Sequence, residues 1–181
     1  MATKKKSAKP KTAAKAKKTA TAKTIKKTIT AKAAKPKKLP VGKGPIGYTT
    51  SNVFSAPVAK VWAVAVEKKH LKGHFLDDMR GDFAKDKTVG FFWKEWGWWD
   101  VQVIKYTKNK ELVMLMPEMN GKYMVTVRYE ILKKDGKTVF RIHESGYPQT
   151  DLNMAFMMCE GWSEFHSGMK AYLAGVDLRE I

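Results

Sequence analysis

The chain has 181 residues, with 35 basic and 17 acidic side chains and a formal net charge of +18. Residues 1–43 hold 16 lysines and no acid; the remaining 138 residues hold 19 basic and 17 acidic groups, a balance of +2. All 20 aromatic residues lie at or after Tyr48. The sequence therefore divides into a polycationic tail, 1–43, and a near-neutral domain, 44–181, large enough to bury a core and too small for a multidomain enzyme. A lone cysteine, Cys159, excludes an intramolecular disulfide and multi-cysteine zinc sites. Apolar runs such as Val61–Val66 span six residues, far short of the ~20 that a membrane helix needs. The tail has neither the apolar stretch of a secretory signal nor the arginines of a mitochondrial transit peptide. A cytoplasmic protein without membrane insertion is expected, with the nucleoid an option that the tail opens.

Of residues 1–38, 32 are Ala, Lys or Thr. Only Ile25 and Ile29 could anchor a core, too little to offset the ordering entropy of the segment, and a disordered tail is expected. Its lysines (Lys4, Lys5, Lys6, Lys9, Lys11, Lys15, Lys17, Lys18, Lys23, Lys26, Lys27, Lys32, Lys35, Lys37 and Lys38) match the charge density of a phosphate backbone, and counterion release favours association. No aromatic is present for base stacking and no arginine for reading guanine, so binding to DNA or RNA would be non-specific. A solubilising bristle and an anionic membrane surface are the competing readings. The composition resembles the lysine-rich tails of linker histones.

Leu39–Gly47, with two prolines and three glycines, reads as a linker. A first strand is predicted over Tyr48–Phe54. Ser55-Ala56-Pro57 then opens a helix, with Ser55 as N-cap, Pro57 in its first turn and a buried stripe of Val58, Val61, Trp62, Ala65 and Val66. Gly73 ends this region. Strands follow over Met79–Phe83, Thr88–Trp93, Trp98–Tyr106, Glu111–Met116, Lys122–Leu132 and Lys137–Glu144, with turns at Glu95–Gly97, Thr107–Lys110, Asn120-Gly121 and Asp135-Gly136. Tyr123, Val125, Val127, Tyr129 and Ile131 alternate onto one face. Thr150 caps a last helix, about Asp151 to Ala174, with a stripe of Met154, Met158, Trp162, Phe165, Met169 and Tyr172. Gly161, beside that stripe, is expected to let helix and sheet approach closely. The order predicts an α+β fold: a curved antiparallel sheet of six to seven strands wrapped around a long C-terminal helix.

This order, with Ser55-Ala56-Pro57-Val58-Ala59-Lys60-Val61-Trp62, Glu144-Ser145-Gly146-Tyr147-Pro148 and Glu160-Gly161-Trp162, resembles the helix-grip (SRPBCC) superfamily. That superfamily includes START lipid-transfer domains, polyketide cyclases and the birch-pollen allergen. Within it, the chain is most similar to the group named for the activator of heat-shock protein 90 ATPase. The resemblance spans Tyr48 to about Leu173 and implies a cavity between sheet and helix.

Candidate ligand-cavity residues are Trp93, Trp99, Met114, Met116, Met158, Trp162 and Phe165, since Met and aromatic rings suit an adaptable apolar pocket. The competing reading is a filled core. The Trp96–Trp99 turn could instead present an apolar patch to a protein partner. No catalytic residue, metal site or cofactor is assigned. His70 and His74 are four apart, but Gly73 interrupts their helix and no third ligand is suggestively spaced. His143 and His166 lack a nucleophile partner, and Gly42-Lys43-Gly44 lacks the spacing of a phosphate loop. The expected function is non-catalytic binding of an apolar ligand or protein client, with the tail on nucleic acid. The resemblance keeps two alternatives open: a co-chaperone stimulating a heat-shock ATPase, and a cyclase- or hydrolase-type enzyme using the cavity.

Overall fold

The computed structural model describes residues 38–176. Of the tail lysines, Lys38 and Lys43 fall within the described residues and are exposed; the others lie outside them. Seven strands form one antiparallel sheet: β1 (Ile46–Phe54), β2 (Asp78–Arg80), β3 (Thr88–Trp93), β4 (Gly97–Thr107), β5 (Glu111–Pro117), β6 (Met124–Lys134) and β7 (Lys137–Tyr147). Their order is β1-β7-β6-β5-β4-β3-β2, so every step but β1–β7 is a simple hairpin. The first crossing carries α1 (Val58–Val66) and α2 (Lys68–Leu71); a 3-10 turn at Gln149–Asp151 leads into α3 (Leu152–Leu173). The curved sheet closes around α3, the helix-grip arrangement expected from the order of elements. No helix among the described residues is long and apolar enough to cross a membrane.

The strand periodicity holds. Val125, Val127, Tyr129 and Ile131 of β6 are buried, as are Phe140, Ile142 and Glu144 of β7. Asp135 and Gly136, both at positive φ, form the β6–β7 turn. On α3 the buried residues are Ala155, Trp162, Phe165, His166, Gly168 and Met169, while Met154, Met158 and Tyr172 pack at the margin of the core. Phe165 meets Phe75, Tyr129 and Phe140 with ring centroids 4.7, 5.9 and 6.4 Å away.

Both predicted caps differ in the structure. Pro57 itself occupies the N-cap of α1, at φ −59° and ψ 151°, and Ser55 instead accepts a hydrogen bond from Lys137 Nζ at 3.1 Å. Asp151, not Thr150, precedes α3, and its carboxylate accepts from Tyr123 OH at 2.9 Å. In both places a tertiary partner has replaced the local side-chain cap.

The segment read as a linker is zipped onto the domain. Met124 N donates to Pro40 O at 2.8 Å, Gly42 N to Met124 O at 2.8 Å, and Gly44 N to Gly146 O at 3.2 Å. A Cβ at Gly42 would lie 2.4 Å from the Gly146 carbonyl oxygen. Close backbone approach, rather than flexibility, is the physical reason for glycine here. The folded part thus takes in residues 40–43 as well, ahead of the expected boundary at 43/44.

Candidate functional site

Glu144 is the most unusual side chain in the domain: a carboxylate on the core side of the sheet, 1% exposed. Three donors from three elements close on it. Tyr48 OH of β1 donates at 2.8 Å, and Tyr147 OH of β7 and Trp162 Nε1 of α3 donate at short range. Tyr48 sits directly across the β1–β7 ladder from Glu144, which explains its reach. Tyr147 needs a special device. Residues three apart on a regular strand face opposite sides. A register shift opposite Ile46 and Gly47 leaves Gly146, at φ +113°, as the extra residue of a bulge. The bulge turns Tyr147 inward, fully buried, onto the same carboxylate. The Glu-Ser-Gly-Tyr sequence is therefore the code for this node. Burial pushes the Glu144 carboxyl above its usual range, opposed by the three donors, and pushes the phenols of Tyr48 and Tyr147 up as well.

A cavity of about 280 Å³ opens beside the node, between α3 and the β3–β4 hairpin. Its aromatic wall is Phe75, Trp93, Trp96, Trp99 and Trp162. Its thioether wall is Met116, Met119, Met157 and Met158. Gly161 lines it too, as do two titratable groups, His74 and Glu164. Strand alternation separates the hairpin's tryptophans. Trp99 faces the cavity, whereas Trp98 is 43% exposed on the other side, stacked by Arg80 at 4.7 Å. Trp93 is oriented by its Nε1, which donates to Phe75 O at 3.0 Å. Trp96 and Met157, each about half exposed (52% and 51%), stand at the mouth.

Five of the seven residues proposed from sequence line this space: Trp93, Trp99, Met116, Met158 and Trp162. Met114 and Phe165 do not; both have no exposure and lie in the closed core, Phe165 within a shell of aromatic rings. Gly161 also differs from expectation. A Cβ there would meet nothing within 4 Å. It holds space open in the cavity, and the close approach belongs to Gly168, where a Cβ would lie 2.9 Å from His74 O.

Sequence reasoning missed Glu144, Tyr48 and Tyr147 as a node, and His74, Phe75, Met119, Met157 and Glu164 as cavity residues. Glu144 carried a signal: it shares the inward parity of Phe140 and Ile142. His74 and Phe75 follow α2 in a turn, where no periodicity assigns a face.

The histidines are held by structural bonds. His74 Nε2 donates to Val64 O at 3.1 Å, and burial lowers its pKa. His70 Nδ1 lies 3.0 Å from Tyr172 OH. His166 Nε2 lies 3.1 Å from Thr50 Oγ1, and burial depresses its pKa to about 4.

Residues 55–174 match the protein-family model described as Activator of Hsp90 ATPase homolog 1-like protein, and the chain belongs to that family. Solved structures share the fold. Protein MLL2253 from Mesorhizobium loti is 17% identical with a TM-score of 0.65, over 74% of this chain and 100% of that one. Protein SSP2350 from Staphylococcus saprophyticus is 16% identical with a TM-score of 0.64, over 74% and 96%. The Aha1 dimer from Colwellia psychrerythraea is 18% identical with a TM-score of 0.59, over 74% and 97%. No curated protein sequence matches the chain.

His166 yields a pH prediction with a fixed sign. An unfolded histidine binds a proton near pH 6.5 and the folded one only near 4. The unfolded state binds more protons in that window, so stability falls as pH drops through it. Glu144, with a raised pKa, acts in the opposite sense above its ordinary range. Denaturant melts of wild type and His166→Gln at pH 7 and 4.5 isolate the histidine. The wild type is expected to lose about 2–3 kcal/mol more than the variant. Equal losses would show that His166 protonates freely in the folded protein.

Proposed function

We propose that the domain binds a small, largely apolar ligand, and that the lysine tail holds it to nucleic acid in the cytoplasm. The cavity carries the first part. At about 280 Å³ it stands at the lower edge of the roughly 300–1,000 Å³ of ligand pockets, which favours a small molecule or headgroup over a whole lipid. The titratable groups that line it are His74 and Glu164, and no serine, cysteine or lysine stands among the lining residues, which favours binding over catalysis. The His74 Nε2 proton is held by Val64 O at 3.1 Å.

Gly161→Leu tests this reading, because it would occupy the cavity and exchange a poor helix former for a good one. The variant is expected to melt at or above the wild-type temperature and to lose any ligand mass seen on the wild type by native mass spectrometry. A large fall in melting temperature, or an unchanged adduct, would contradict it.

Composition supports the role of the tail: 16 lysines and no acid over residues 1–43. The folded domain offers little competing charge, since Lys105 pairs with Glu111, which also holds Arg128 at 2.7 Å. If about half the lysines engage phosphates, log K against log salt should fall with a slope of roughly −7 on duplex DNA. Deleting residues 1–37 should abolish that binding, and shuffling their order should leave it intact. A truncated protein that binds as tightly as the full chain would sink this role.

The family match and the Aha1 fold neighbour support a second reading, stimulation of an Hsp90-type ATPase. An ATPase assay with a purified chaperone separates it from the first.

A further inference from the structure

We infer that the ligand of this cavity is an organic cation, an alkylated ammonium held in an aromatic box. The inference rests on the proposal that the cavity binds a ligand and adds its chemical class. Phe75 and Trp93 meet at 90° with centroids 5.5 Å apart, and Trp93 and Trp99 at 69° and 5.3 Å. Trp96 adjoins Trp93 at 5.7 Å and 56°. The steep Phe75–Trp93 and Trp93–Trp99 pairs make the corners of a box, and the near-parallel Phe75–Trp162 pair, at 26° and 5.9 Å, makes its flat wall. Such a box presents the electron-rich faces that attract a cation, and tryptophan attracts most strongly.

The charge distribution agrees. Glu164 is on the cavity wall, and no lysine or arginine lines it. Lys94, in the same hairpin as Trp96, is drawn to Asp77 at 3.2 Å. His74 is kept toward its neutral form by burial. The outer side of the hairpin provides an internal comparison. There Trp98 carries the Arg80 guanidinium, the one cation–π pair among the described residues. The inner tryptophans have the same chemistry, and among the described residues no lysine or arginine lines the space beside them. The methionines beside them supply polarizable surface for alkyl groups.

The test is a pair of isosteric, water-soluble probes, choline and 3,3-dimethyl-1-butanol, titrated into the full-length protein with tryptophan fluorescence as the readout. Choline is expected to bind at least about tenfold more tightly, because the two differ in the charge at the branched centre. Trp96→Ala, at a half-exposed position, and Glu164→Gln should each reduce that preference without unfolding the domain, which circular dichroism checks. Equal binding, or tighter binding of the alcohol, would overturn the cation inference and leave an apolar ligand cavity standing. If neither probe binds the folded protein, both the inference and the cavity reading fall.

Discussion

A carboxylate taken out of water must find donors or lose its charge, and in this domain that requirement fixes three elements at one point. Glu144 draws Tyr48 from β1, Tyr147 from the end of β7 and Trp162 from α3. Hydrogen bonds to a charged acceptor are stronger than neutral ones, and a buried partner left unsatisfied is costly. The node therefore sets how far α3 stands from the sheet and which way Trp162 faces. Tyr129 meets that indole edge-on at 5.7 Å, so its position is fixed from both sides.

The cavity follows from that placement. α3 packs against β1 and β7 at one end of the curved sheet. At the other end, residues of β3, β4 and β5 face the helix across open space, and Gly161 contributes no side chain to fill it. The loop above β5 is also held. Glu118, buried, accepts from Asn120 N at 2.8 Å and Lys122 N at 2.6 Å, which positions Met119 on the cavity wall. The cavity is thus a consequence of polar anchoring on both sides of it.

Much of the fold was legible because strand alternation and turn chemistry are local. Thr88–Trp93 matches its observed bounds, and Asp135-Gly136 forms the turn expected of it. The caps were not legible, because Lys137 and Tyr123 come from distant parts of the chain to engage Ser55 and Asp151. The family resemblance implied a cavity, yet composition could not separate Phe165, which closes the core, from Trp162, which bounds the space. Gly161 and Gly168 lie on the same helix with opposite roles, and only the facing backbone at His74 distinguishes them. Glu144 was readable as a lone acid at an inward position, but its partners depend on a bulge at Gly146 that reverses the parity of Tyr147.

The most direct measurement is a double-mutant cycle on the node: denaturant stabilities of Glu144→Gln, Trp162→Phe and the double variant. Each single change is expected to cost more than about 1 kcal/mol, since each leaves a buried group without its partner. The double variant should cost less than the sum, with a coupling of about 1 kcal/mol or more. Strict additivity, or wild-type stability in Glu144→Gln, would contradict the claim that this carboxylate holds the helix in the grip of the sheet.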